Sequence, residues 1–406
     1  MKLSKILLAL ALMAYAPHAQ ATLFAYVTNI NNNTVTPLNL STNVLGTAIT
    51  GFNDPAYIAI TPDGTFAYVT NLDGTTVIPI NLGTNTAQAP ITVGNSPAGI
   101  AITPNGAFAY VANSGDGTVT PINLATNAPG APIVVGGNPF AIAITPDGAF
   151  AYVTNINGNV TPINLSNNMP EAAIPAGLSL PFGIAINPDG TFAYVTDVNN
   201  STVTPIDLEN DTVGTPISGF SAPIGIAIAP DGSFAYVANA ASGNVIPINL
   251  ANDTLGTPIT TGGSLRDIAI TPNGTFAYVT DNSGGNVIPI NLSSSNPLGP
   301  IPGFDGPYAI AITQTIQPGP LQGVVRLDTF LNRTDIILTL NWTTSGNPAV
   351  VAYRIYNGNT LVGTVPASDP LMFVTCISSQ ASTQGFSITS VTASGLESVQ
   401  VPVVIS

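Results

Sequence analysis

The 406-residue chain carries 20 acidic side chains against six basic ones and a single histidine, a formal net charge of −14. That balance repels phosphate backbones and excludes nucleic acid as a partner. Only 6% of residues are charged while 45% are hydrophobic, the composition of a chain that folds compactly rather than of a disordered one.

The amino-terminal segment comes first. Lys2 and Lys5 precede an apolar stretch from Ile6 to Tyr15, Pro17 breaks it, and Ala19-Gln20-Ala21 fits a small-x-small cleavage site. Residues 1–21 therefore read as a secretory signal peptide, since about ten apolar residues fall short of the roughly 20 that a membrane span needs. Cleavage after Ala21 removes both lysines and the only histidine, His18, leaving arginine as the sole basic side chain. The expected product is exported (secreted, periplasmic or at the cell surface), with no membrane span left. Cys376 is the only cysteine, so an intrachain disulfide framework and a Cys-rich metal site are both excluded.

From residue 22 to about 315 the chain repeats itself. Phe-Ala-Tyr-Val begins at Phe24, Phe66, Phe108, Phe150, Phe192, Phe234 and Phe276, always 42 residues apart, and Ile-Ala-Ile recurs in step from Ile58 to Ile310. A fixed period of this length marks a repeat architecture. Within one unit Ala56 to Thr61, Phe66 to Thr70, Thr76 to Leu82 and Pro90 to Val93 read as four short strands, A to D. Pro62-Asp63-Gly64 suits a tight hairpin between A and B. Such a sheet must have both faces covered, which predicts an all-β, seven-bladed β-propeller; a β-solenoid is the alternative. The repeat region begins at a strand B and ends at a strand A, where Gln314-Thr315-Ile316 replaces the hairpin turn. The last strand is therefore expected to close the ring by completing the first blade. Each strand C contains a proline, from Pro37 and Pro79 to Pro289, which removes a ladder donor and predicts a bulge there.

Phe66-Ala67-Tyr68-Val69-Thr70-Asn71 and Ile58-Ala59-Ile60-Thr61-Pro62-Asp63-Gly64 resemble the YVTN family of β-propeller repeats, found in surface-layer and exported proteins. The resemblance spans all seven repeats. It implies a seven-bladed propeller with interaction roles at the cell envelope or outside the cell. Strand C departs from the family, with Val-Ile-Pro-Ile-Asn-Leu in place of its usual phrase.

After a Pro/Gly linker, residues 316–321, the period stops. Residues 322–406 carry alternating runs such as Ile337-Leu338-Thr339-Leu340-Asn341-Trp342, as in a small antiparallel β-sandwich. Trp342, Tyr353-Arg354-Ile355-Tyr356 and Phe386-Ser387-Ile388-Thr389-Ser390-Val391 resemble fibronectin type III modules. Phe386 stands where that family has a tyrosine, so the corner hydroxyl bond is missing. The resemblance implies a spacer or docking unit.

Chemistry is constrained by what cleavage leaves. Without histidine or lysine there is no common general base, no usual zinc or haem ligand and no Schiff-base lysine. The expected function is a non-catalytic scaffold that binds a protein or carbohydrate, is itself monomeric and needs no cofactor. Two alternatives stand beside it: a surface-layer-like structural protein, and a calcium- or carboxylate-dependent hydrolase using loop aspartates such as Asp73, Asp116, Asp197 and Asp281. Those four are spaced one per blade, the pattern of Asx turns rather than of a local calcium loop.

The loops between B and C and between D and A share one face of a propeller and vary between repeats, the mark of a recognition surface or of drift in exposed turns. The residue two before each Ile-Ala-Ile is expected to ring the channel mouth there: Ala56, Ala98, Phe140, Phe182, Ile224, Arg266 and Tyr308. Arg266 is the only basic residue of the repeat region. With Asp267 and its aromatic neighbours it forms the candidate ligand site; the alternative is that Arg266 pairs with Asp267 or an adjacent blade and the aromatics pack locally.

Overall fold

A computed structural model describes residues 23–313 continuously, and beyond them only the strands lying between 321 and 402. The signal-peptide reading and most of the linker lie outside the described residues. Residues 23–313 form seven antiparallel sheets. In blade 2 the inner strand Pro55–Ile60 pairs with Phe66–Asn71, which pairs with Thr76–Asn81, and the unit repeats around the ring. Among the described residues there is no helix.

The ring closes as the sequence predicts. Blade 1 takes Phe24–Asn29, Thr34–Asn39 and Val44–Leu45 from the start of the repeat region and its inner strand, Pro307–Ile312, from the end. Ala25 lies opposite Ile312, Tyr26 opposite Ala311 and Val27 opposite Ile310. The inner strand Pro307–Ile312 also contacts those of blade 2 and blade 7, so the innermost strands form an unbroken circle.

Strand periodicity explains why the repeat is written as it is. Alternate residues face opposite sides of a sheet, so Ala67 and Val69 pack towards Tyr26, Val35 and Ile49 of blade 1. Tyr68 and Val77 pack towards Ala109, Val111 and Ile122 of blade 3. The closing interface is built the same way, Tyr278 and Val287 of blade 7 meeting Ala25, Val27 and Leu38 of blade 1. Each fully covered Tyr, Val or Ile contributes about 1.5–3 kcal/mol, a gain that no blade obtains alone.

Tyrosine adds a polar stitch. Tyr26, Tyr68 and Tyr110 donate their hydroxyls to Asn85, Asn127 and Asn168 at 2.7, 2.8 and 2.8 Å, each in the outer turn of the following blade. These acceptors have φ of 52°, 55° and 57°, a left-handed conformation that asparagine tolerates better than most residues.

On the same end the hairpin turns between the first two strands are uniform. Gly64 N–H donates to Thr61 C=O at 2.8 Å, the Thr61 hydroxyl and the Thr65 N–H donate to Asp63 Oδ1 at 2.6 and 3.0 Å, and Gly64 has φ 69°. This is a tight turn followed by a left-handed residue, which favours glycine there.

The proline of the third strand is where expectation and structure part. No bulge interrupts that strand: Phe66 to Asn71 run in unbroken register against Asn81 to Thr76. The irregularity sits in the outer strand instead, split into Thr86–Ala87 and Ile91–Thr92. In an antiparallel strand the N–H and C=O of one residue point the same way, and Pro79 C=O accepts from Gln88 N–H on the outer side. The missing donor therefore falls on the outer edge, next to the gap, and costs no inner ladder bond.

Beyond the propeller, Leu321–Phe330, Arg333–Trp342 and Met372–Ile377 pair as one three-stranded set. Thr360–Pro366, Val350–Asn357, Phe386–Thr392 and Val401–Pro402 pair as a four-stranded one.

Candidate functional site

The inner strands bring the candidate residues together through a bulge. Register slips between Pro55 and Ile58, so Ala56 and Tyr57 together occupy the space opposite Thr70, and every blade repeats the slip. In five blades the threonine of Phe-Ala-Tyr-Val-Thr fills it, while blades 3 and 6 have Ala112 and Ala238 there. The threonine hydroxyl accepts the N–H of the second bulge residue, as for Tyr57 at 3.0 Å, Gly183 at 2.8 Å and Asp267 at 2.9 Å. The same oxygen donates to the next blade, Thr196 to Ile224 C=O at 2.8 Å and Thr280 to Tyr308 C=O at 3.1 Å. One hydroxyl thus fixes two neighbouring inner strands.

Glycine at the second bulge position lets those strands approach closely. A Cβ on Gly99 would meet Phe140 C=O at 2.5 Å, and one on Gly225 would meet Arg266 C=O at 2.7 Å.

At the mouth, five side chains form a closed circuit. The Arg266 guanidinium lies 4.2 Å from the Tyr308 ring centroid and 5.8 Å from that of Phe182. Phe182 packs on Phe140 at 4.1 Å, Phe140 meets Tyr57 edge-on at 5.7 Å, and Tyr57 meets Tyr308 edge-on at 5.5 Å. Blades 3 and 6 contribute no member. Their bulges hold Ala98-Gly99 and Ile224-Gly225, over which the larger side chains reach.

Asp267 turns its oxygens to backbone donors rather than to the Arg266 guanidinium. Its Oδ1 accepts from Ile268 N–H at 2.9 Å and its Oδ2 from Ile310 N–H, on the adjacent blade, at 3.0 Å. Burial pushes this carboxyl up to about 6, against the smaller lowering effects of those two N–H donors and of Arg266. Tyr57 and Tyr308 are also raised, by burial first, and both stay neutral at physiological pH.

These groups line a cavity of about 150 Å³ whose walls include Ile184, Ile224, Ile226 and the backbones of Gly99, Gly183 and Gly225. Drug-sized ligands occupy about 300–1,000 Å³, so this space takes a small group and not a whole large ligand.

Of the residues predicted for the mouth, Phe140, Phe182, Arg266 and Tyr308 join the circuit, Ile224 walls the cavity and Asp267 lies within it. Ala56 and Ala98 are fully buried and stand outside it. Tyr57 was not among the predicted residues, because a count of one position per blade overlooks a bulge that brings two consecutive residues to the mouth. The recurring buried threonine opposite them was the available signal.

The loops on this face are tied to one another: Ile30 N–H donates to Gly306 C=O, Leu72 to Asp54 and Ser114 to Ser96 at 3.0–3.1 Å. The aspartates weighed for calcium serve these ties separately. Asp116 holds Asn95 through N–H and Nδ2, both 2.7 Å, Asp197 accepts from Ser179 and Leu180, and Asp281 accepts from Ser264 and Gly284. Among the described residues no three metal-binding side chains cluster.

No protein-family model matches the chain, and no curated protein matches it. Among solved structures it is similar to Kuenenia stuttgartiensis hydrazine synthase, at 21% identity and a TM-score of 0.59, covering 65% of this chain and 91% of that one. It is also similar to a functionally unknown protein from Desulfotomaculum acetoxidans DSM 771, at 20% identity and a TM-score of 0.65, covering 71% and 98%. Likeness at such identities concerns the fold alone.

Proposed function

We propose that this protein is an exported, non-catalytic β-propeller scaffold of the YVTN type that binds a protein or carbohydrate partner through its loop face. The observation that carries the reading is where the chain departs from its own repeat. One end of the propeller carries near-identical Thr-Pro-Asp-Gly turns, while Tyr57, Phe140, Phe182, Arg266 and Tyr308 gather at the other, among loops that differ from blade to blade. A rigid frame with variable loops at one end is the usual setting for recognition. In the carboxyl-terminal segment, pairing of the first, second and fifth strands as one set and of the fourth, third, sixth and seventh as the other supports a fibronectin type III-like spacer or docking unit.

The test is partner capture from envelope extracts and on glycan arrays, with cross-linking to locate the contact. Cross-links should fall in the B–C and D–A loops, and binding should survive a change on the outer rim such as Met169→Ser. Capture that depends on the rim and ignores the loops would contradict the reading.

A second reading, envelope assembly between copies, has one observation in its favour. A groove of about 680 Å³ on the rim of blades 3 and 4 is lined by Phe108, Val134, Met169 and several prolines, with Val134 70% and Met169 59% exposed. Light scattering on the intact protein separates a discrete monomer from a growing assembly.

A further inference from the structure

We infer that the cavity at the channel mouth is a receptor for a small carboxylate, gripped edge-on by the Arg266 guanidinium. The inference deepens the loop-face reading above by giving the ligand chemistry of its central site. Arg266 is the only basic residue among residues 22–313, so its position there sets the one place in the propeller where a cationic side chain can meet an anion. The Tyr308 ring lies 4.2 Å from the guanidinium carbon and the Phe182 ring 5.8 Å, two aromatic faces that favour a cation. The N–H groups along the edge of its plane match the two oxygens of a carboxylate.

No carboxylate among the described residues hydrogen-bonds that edge. Asp267 is the only acidic residue lining the cavity, and both of its oxygens already accept backbone N–H donors. Tyr57 and Tyr308, the other titratable groups facing the space, are neutral. Ile184, Ile224 and Ile226 provide an apolar wall, and a volume of about 150 Å³ corresponds to roughly five waters at about 30 Å³ each. A carboxylate carrying two or three carbons fits that size, with any larger body left outside. The charge of Asp267 opposes such a ligand, so removing it should tighten binding.

The test is calorimetric titration of the full chain with sodium acetate, sodium propionate, sodium glucuronate and, as an uncharged control, propionamide. Propionate is expected to bind and propionamide not. Arg266→Ala should abolish binding and Arg266→Lys, which keeps the charge but loses the planar fork, should weaken it at least about tenfold. Asp267→Asn should strengthen it. Ile224→Phe fills the cavity while keeping the arginine in the sequence and should also abolish it, so the outcome does not depend on Arg266→Ala folding. Glucuronate binding more tightly than acetate identifies the carboxylate as one borne on a sugar ring; the reverse order identifies a small free acid. Absence of heat with all three carboxylates, equal binding of propionamide, or binding unchanged in Arg266→Ala would each overturn the inference. Loop-face capture of a partner with no carboxylate binding would leave the scaffold reading standing and this one refuted.

Discussion

The Tyr68 hydroxyl donates to Asn127 Oδ1 at 2.8 Å, a bond that crosses from blade 2 to a turn of blade 3. Its ring is buried between the two sheets while its oxygen reaches the wetter end of the interface, so one residue supplies both apolar cover and orientation. Tyr68→Phe should keep the cover and lose roughly 1 kcal/mol. Asn127→Gly, which retains the left-handed turn, should cost about as much, and the double variant little more. Denaturant midpoints of the three variants measure the coupling; strictly additive losses would mean the bond contributes nothing.

Thr196 should matter more. Its hydroxyl accepts Gly183 N–H and donates to Ile224 C=O, both at 2.8 Å, and it is fully buried. Thr196→Val keeps the shape but strands two backbone groups, with an expected loss of about 2–3 kcal/mol. A urea midpoint within error of the wild type would contradict this account of the bulge.

Asp267 gives a pH signature. Its carboxyl is raised from 3.8 to about 6 in the fold, so the folded state binds the proton more tightly than the unfolded chain does. Its contribution to stability is complete below about pH 4 and falls as pH rises to about 6, by on the order of 3 kcal/mol, then stays level. Asp147 runs the other way: the Thr145 hydroxyl and Ala149 N–H hold it low, so its contribution is lost in acid. Comparing wild type with Asp267→Asn isolates the first effect. The wild type should lose stability relative to the variant between pH 4 and 6; parallel profiles would contradict the assignment.

Pro79→Val should leave the inner ladder intact, because the donor that proline lacks faces the outer edge. Pro79 is buried, so the N–H that the variant adds is shielded from water and should cost about 1–3 kcal/mol. Thermal melts read the loss. A melting temperature equal to that of the wild type would mean that the added N–H finds an acceptor at the gap in the outer strand.

The architecture was legible because the strand period of two and the 42-residue period both survive in plain sequence. Strand order, ring closure and the Pro-Asp-Gly turns all follow from them. Two local features did not. The outer strand splits opposite Pro79 rather than bulging the third, because the direction of a proline's missing donor depends on pairing register, which the sequence does not display. Tyr57 reaches the mouth through a register slip that breaks the rule of alternation. That Arg266, Phe182 and Tyr308 would meet was readable from their equivalent positions. That Asp267 would turn to the N–H groups of Ile268 and Ile310 instead of to Arg266 was not, since it depends on how closely blades 7 and 1 approach.

Everything at the mouth depends on Tyr308 arriving there on the strand that closes the ring. Hydrogen exchange read by mass spectrometry tests this directly, on the intact chain and on one ending at Gly306. In the intact chain, Phe24–Asn29 and Pro307–Ile312 should be protected as strongly as Phe66–Asn71 and Pro55–Ile60 of blade 2, and the shortened chain should lose protection first in blade 1. Rapid exchange across Pro307–Ile312 in the intact protein, or a shortened chain as protected as the whole, would contradict the closed ring.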